Sequence, residues 1–152
     1  MLIEISDESS LDVASDLLHD AVFSARDIEY DERQRIFRLS LWREVGELAR
    51  SRRILWVLNR IEMPLVRADL EMCRVLEVRV TGDTGFDRYT LNAIHYDNEK
   101  RMLQFEVIPP LRIAITIDIL CGALRDIGDP RWEGPNSPAV LYRIGGQTPV
   151  QR

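Results

Sequence analysis

Apolar positions recur mostly at every second residue along this chain, the spacing that lays one face of a β-strand against a core. Met1–Ile5 alternates in this way and predicts a short strand. Asp7-Glu8-Ser9-Ser10 then supplies side-chain oxygens able to accept the free N–H groups of a helix start. Leu11, Ala14, Leu17, Leu18 and Ala21 follow at three- and four-residue spacing, which predicts a helix from about Ser10 to His19. From Val22 the period returns to two. Phe23 to Tyr30 predicts a strand, Asp31-Glu32-Arg33-Gln34 a polar turn, and Ile36–Trp42 the returning strand. Gly46–Arg53 is a charged connection with a short helical turn, Ile54–Leu58 a short buried strand, and Leu70–Val80 one long strand with a bulge at Met72-Cys73. After the turn residues Thr81 to Gly85, Tyr89–Tyr96 and Met102–Val107 form a second hairpin around Asp97-Asn98-Glu99-Lys100. Leu111–Asp118 alternates again. A closing helix is predicted over Ile119–Ile127, capped by Asp118 and stopped by Gly128 and Pro130.

The two hairpins match each other. Ile28-Glu29-Tyr30-Asp31 falls on Ile94-His95-Tyr96-Asp97, and Arg35 falls on Arg101, with alternating hydrophobes after each arginine. An aspartate opening such a turn can accept backbone N–H groups a few residues on, with the arginine lying across from it. Internal duplication and convergence on a common turn both account for the pattern. The expected fold class is α+β: mainly antiparallel sheet of about seven strands, with an N-terminal and a C-terminal helix. A pleckstrin-homology-like barrel and an open sheet with helices on one face both fit that order. Residues 1–133 read as a single domain and 134–152, rich in Gly and Pro, as a loosely packed tail.

Composition adds limits. The 152 residues are 45% hydrophobic and 30% charged, as in ordinary globular domains. Cys73 and Cys121 lie in apolar runs without close spacing to each other or to histidine, and are expected to be buried reduced thiols. The N-terminus lacks a basic start, and apolar runs fall far short of the roughly 20 residues a membrane span needs, so a cytoplasmic protein is expected. The net charge of −5 is unevenly spread. Residues 1–34 hold ten acids against two arginines, while residues 35–67 hold eight arginines against three glutamates. This argues against a dedicated nucleic-acid binder and for charge-complementary contact, within the fold or with a partner.

Candidate chemistry is sparse. His19-Asp20 closes the first helix with Asp16 one turn back, but lacks the second histidine and distant ligands of a metal site. His95-Tyr96 stands in a strand beside a turn, where acid–base chemistry would need a second polar group in a cleft. Arg50, Arg52 and Arg53, near Trp42 and Trp56, could stack on and neutralise RNA, with segment 43–67 as its footprint. No nucleophile elbow or phosphate loop occurs, and no catalytic, cofactor or metal residues are assigned.

Leu18-His19-Asp20-Ala21 after the helix, Arg35-Ile36-Phe37, Trp42-Arg43-Glu44, and Asp126-Ile127-Gly128 with Trp132 resemble a small bacterial domain family of unknown function. That family opens with a helix ending Leu-x-Asp-Ala, continues through an Arg-Arg-Phe hairpin, and closes on a strand, a helix and Asp-Leu-Gly-x-x-Trp. The resemblance spans residues 2–138, implies a fold, and brings no activity. The expectation is a non-catalytic protein-interaction or scaffold module that binds a protein partner or itself. A small-ligand binder or enzyme using a pocket of the curved sheet is the alternative, and RNA binding a second one.

Overall fold

The computed structural model describes the backbone of residues 1–54 and 58–132, and their side chains outside 52–60. It corrects the expected fold class. Among the described residues there is one α-helix and there are twelve strands, most of them antiparallel neighbours in a single large sheet, rather than two helices and about seven strands. The described backbone falls into two compact units: Met1–Glu44 with Val66–Asp129, and Val45–Leu65 with 130–132.

The first unit opens on β1 (Leu2–Ile5) and α1 (Glu8–Leu17). Asp7 caps the helix, its carboxylate accepting the Ser10 N–H at 2.8 Å, while the Ser10 hydroxyl accepts back from the Asp7 N–H at 3.2 Å. The expected strand from Phe23 to Tyr30 is instead β2 (Ala21–Phe23), a 3₁₀ turn (Ala25–Asp27) and β3 (Ile28–Asp31). Then come β4 (Ile36–Glu44), and after the second unit β7 (Leu65–Met72), β8 (Val75–Gly82), β9 (Tyr89–Asp97), β10 (Met102–Ile108), β11 (Leu111–Ile117) and β12 (Gly122–Arg131). The sheet runs β1-β12-β7-β4-β2-β9-β10-β11-β8, with β3 also paired to β4. Phe37, Leu39, Leu41, Leu91, Leu103, Ile113, Ile115 and Leu124 form the core beneath it, and Leu11, Ala14 and Leu18 bring α1 against the same face.

Two sequence expectations fail for identifiable reasons. The stretch Ile119–Ile127 shows apolar residues at helical spacing, yet it contributes strand β12. Only Leu120 and Leu124 of its large apolar side chains are buried, and Ile119 and Ile127 are exposed. Gly128 does take a positive φ of 80°, but within the strand rather than beyond a helix. Likewise, Leu70–Val80 is two strands. Cys73-Arg74 is the connection between β7 and β8, with Arg74 at φ 56°, and the two strands pair with different neighbours, so Met72-Cys73 marks a break between strands.

The cysteines are not free thiols. Cys73 and Cys121 form a disulfide with Cα atoms 5.4 Å apart, across a sequence separation of 48, and the Cys73 N–H donates to the Cys121 carbonyl at 2.8 Å. Their linear spacing hid a pairing made by the sheet, in which β12 leaves this point alongside β7.

The twin hairpins match in detail. Asp31 accepts the Gln34 N–H and Asp97 the Lys100 N–H, both at 3.0 Å. Arg35 and Arg101 close these turns at φ 56° and 49°. Neither arginine lies across from its aspartate, whose partners are Ile36 and Met102.

The second unit contains a 3₁₀ turn (Gly46–Leu48) and the hairpin of β5 (Arg50–Ile54) with β6 (Leu58–Glu62). Of the charged connection expected over Gly46–Arg53, Gly46–Leu48 is a helical turn and 50–53 is strand. The strand expected over Ile54–Leu58 has its centre outside the described residues, as does the tail 134–152.

Candidate functional site

One end of the first unit gathers arginines. Arg35, Arg74 and Arg101 each stand at the last position of a tight connection, and each has a left-handed backbone. Such a backbone suits Gly or Asn and costs other residues about 1–2 kcal/mol. Main-chain bonds hold all three in place. The Arg35 carbonyl accepts the Val75 N–H at 3.0 Å, that of Arg101 the Ile117 N–H at 2.9 Å, and that of Arg74 the Asp118 N–H at 3.0 Å. Four connections therefore meet: β3–β4, β7–β8, β9–β10 and β11–β12.

Two of their side chains share one carboxylate. Arg74 donates to Asp118 Oδ2 at 2.6 Å, and Arg101 Nη1 lies 3.8 Å from Oδ1. The Arg74 hydrogen bond, followed by the charges of Arg74, Arg101 and Arg35, holds the Asp118 carboxyl below the usual carboxylate range. Arg74 and Arg101 remain more than half exposed, and Arg35 is exposed as well. The three guanidinium groups face solvent, among the acids Asp31, Glu32, Asp97 and Glu99 of the same turns. The Cys73–Cys121 disulfide ties two of the four connections beneath it.

A second polar group lies where α1 meets β9. The register between β9 and β10 shifts at Glu106/Val107, leaving Asn92 as an extra residue on β9. The end of α1 satisfies the main chain freed there: His19 Nδ1–H donates to the Asn92 carbonyl at 2.7 Å, Asp20 N–H to the Leu91 carbonyl at 2.9 Å, and the Ile94 N–H to Ser15 Oγ at 2.9 Å. On the outer face, Glu106 accepts from Asn92 Nδ2 at 2.8 Å and meets His95 Nε2 at 3.3 Å. These bonds, Asn92 first and His95 next, lower the Glu106 pKa. His19, Asp20 and His95 thus belong to one network, all exposed, and each has a structural task in holding the bulge.

The remaining expected site residues are dispersed. Tyr96 points its hydroxyl at Asn98 Oδ1, 3.4 Å away. In the second unit, Arg50 places its guanidinium 3.2 Å from the Trp132 ring centroid, a cation–π contact. The side chains of Arg52 and Arg53 lie outside the described residues. Elsewhere in the arginine-rich segment, Arg38 bridges Glu71 at 2.7 Å and Glu29 at 3.7 Å on the outer face of the sheet. Arg43 is buried and doubly bonded to Asp126, at 2.8 and 2.7 Å. Much of the charge asymmetry is therefore answered within the fold.

Among the described residues no group of three or more His, Cys, Asp or Glu side chains is arranged to hold a metal ion, and no helix is long and apolar enough to cross a membrane. Comparison with protein-family models, with curated proteins and with solved structures finds no match to this chain, and the resemblance to a small bacterial family rests on its short motifs alone.

Proposed function

We propose that the chain is a non-catalytic interaction module whose arginine-bearing end holds an acidic segment of a protein partner. The supporting observation is the meeting of the turns that carry Arg35, Arg74 and Arg101, with Arg74 and Arg101 on the one Asp118 carboxylate. Each occupies a backbone position where a smaller residue would be less strained. A surface of exposed guanidinium forks matches carboxylates in pairs and favours fast, salt-sensitive association. The Cys73–Cys121 bond also bears on where such a module works. Disulfides persist in oxidising surroundings, which sets this bond against the expectation of a cytoplasmic protein.

The test is titration of the protein with a glutamate-rich peptide, followed by backbone amide shifts in low and moderate salt. Shifts confined to the four connections, weakened by salt and abolished in Arg35→Gly/Arg101→Gly, are expected. Glycine suits both positions, so the fold survives that replacement. Shifts elsewhere, or undiminished binding by the double variant, overturn the reading. Tighter binding of a uridine oligonucleotide through the same residues would move the site to nucleic acid.

A further inference from the structure

The large sheet ends on β8, whose one strand neighbour among the described residues is β11. Among the described residues its far edge is met at its first residue, where Val75 N–H reaches the Arg35 carbonyl at 3.0 Å and the Val75 carbonyl accepts from Tyr30 OH at 3.3 Å. From Leu76 to Gly82 that edge runs on, and most of its residues are exposed. An open edge carries unpaired main-chain donors and acceptors and is a template for another strand.

The side chains on this edge are not those of a finished margin. Val78 and Val80 pair across to Ile115 and Ile113, which are buried, so they sit on the core side of the sheet. Yet Val80 is 38% exposed and Leu76 50%. The apolar face reaches the rim and stops uncovered. On the opposite face Glu77 and Arg79 form an ion pair at 2.9 Å, both largely in solvent.

We infer that β8 pairs with β8 of a second copy of this chain, antiparallel about a two-fold axis through Val78. In that register Val78 faces its own counterpart and Leu76 faces Val80, while Glu77 lies opposite Arg79 in both directions. The ion pair within each strand then becomes a four-charge ladder of alternating sign across the dimer. Neighbouring registers are penalised. Centring on Glu77 or Arg79 sets like charges face to face, and a half-step shift puts a charge opposite a hydrophobe. The sequence Leu-Glu-Val-Arg-Val is thus self-complementary in one register. Main-chain bonds supply attraction, and Leu76, Val78 and Val80 extend the apolar face from one copy into the next. A contact of five residues on each side falls short of the roughly 1,000 Å² of a stable interface, so the dimer dissociates on dilution.

Sedimentation velocity across a hundredfold concentration range tests this, with charge reversal and charge exchange as the variants. The wild type is expected to shift from monomer to dimer as concentration rises. Glu77→Arg sets arginines face to face across the two copies and should weaken dimerisation at least tenfold; Arg79→Glu should do the same by setting glutamates together. Glu77→Arg/Arg79→Glu restores the alternation and should restore the dimer. Both side chains are exposed, so circular dichroism and Tm should stay at wild-type values, and each single variant checks the other. A wild type that remains monomeric throughout, a dimer indifferent to either single reversal, or a double variant as weak as the singles overturns the inference.

Discussion

Replacing Asp126 by alanine leaves the Arg43 guanidinium stranded in the core. Arg43 is 1% exposed and Asp126 12%, and the two share bonds of 2.8 and 2.7 Å. The Arg43 side chain keeps a bond to the Glu44 carbonyl at 3.2 Å, while the Met1 amino group, 3.6 Å from Asp126, also loses its partner. Removing one member of a buried pair typically costs 3–5 kcal/mol, because the surviving charge can neither be solvated nor neutralised. Slight access of water at Asp126 places the expected loss near the lower end, about 3 kcal/mol. Exchanging both for apolar residues, Arg43→Met with Asp126→Leu, removes the desolvation penalty along with the attraction. That double variant should lie within about 1 kcal/mol of wild type or above it. Urea unfolding followed by circular dichroism, with the slope unchanged between variants, measures both. A loss under about 1 kcal/mol for Asp126→Ala, or a double variant as unstable as the single one, would refute the description of this pair as buried and mutually dependent.

Three further outcomes are expected. Reducing the Cys73–Cys121 bond, or replacing both cysteines by serine, frees a loop spanning a sequence separation of 48; chain-entropy reasoning gives a loss of about 4 kcal/mol, read from denaturant midpoints with and without reductant. Gly122→Ala drives a methyl group into the Glu71 carbonyl and the Met72 sulfur on β7, and should cost about 1–3 kcal/mol or block soluble expression. Asp7 and Asp118 have lowered folded-state pKa values, through Ser10 and Arg74 respectively, so their contributions are full above the ordinary aspartate pKa and fade as pH falls through the lowered ones. Tm should therefore drop with pH in the acid range, and the gap between wild type and Asp7→Ala should narrow there.

What could be read from the sequence depended on whether neighbours in the chain are neighbours in space. The hairpins at Asp31–Arg35 and Asp97–Arg101 and the strand from Leu111 were legible, since alternation and turn chemistry are local. The closing helix was misread because Ile119, Leu120, Leu124 and Ile127 imitate a helical stripe, although two of them face water. Arg43 carried an unread signal. It continues the inward phase of Phe37, Leu39 and Leu41, and an arginine in that phase requires a buried acid. That acid, Asp126, shares the phase of Leu124. The arginine cluster was half visible: Arg35 and Arg101 stood out as repeated turn residues, but Arg74 and Asp118 join them only through β7–β8 and the end of β11. The disulfide was invisible for the same reason.

The three residues of β2 carry a burden out of proportion to their length. Ala21, Val22 and Phe23 pair with Leu91, Thr90 and Tyr89 on one side, and Val22 with Trp42 on the other. Along the strand order, the block from β1 to β4 is joined to the block from β9 to β8 through this seam; off the ladder, α1 bonds to β9 and the β7–β8 connection bonds to Arg35 and Asp118. A ladder this short has few bonds to break. Native-state hydrogen exchange should divide the sheet into two cooperative blocks, with the amides of Ala21–Phe23 exchanging ahead of those in β10 and β11. The chain would then part along an internal line, not fray from its outer strands.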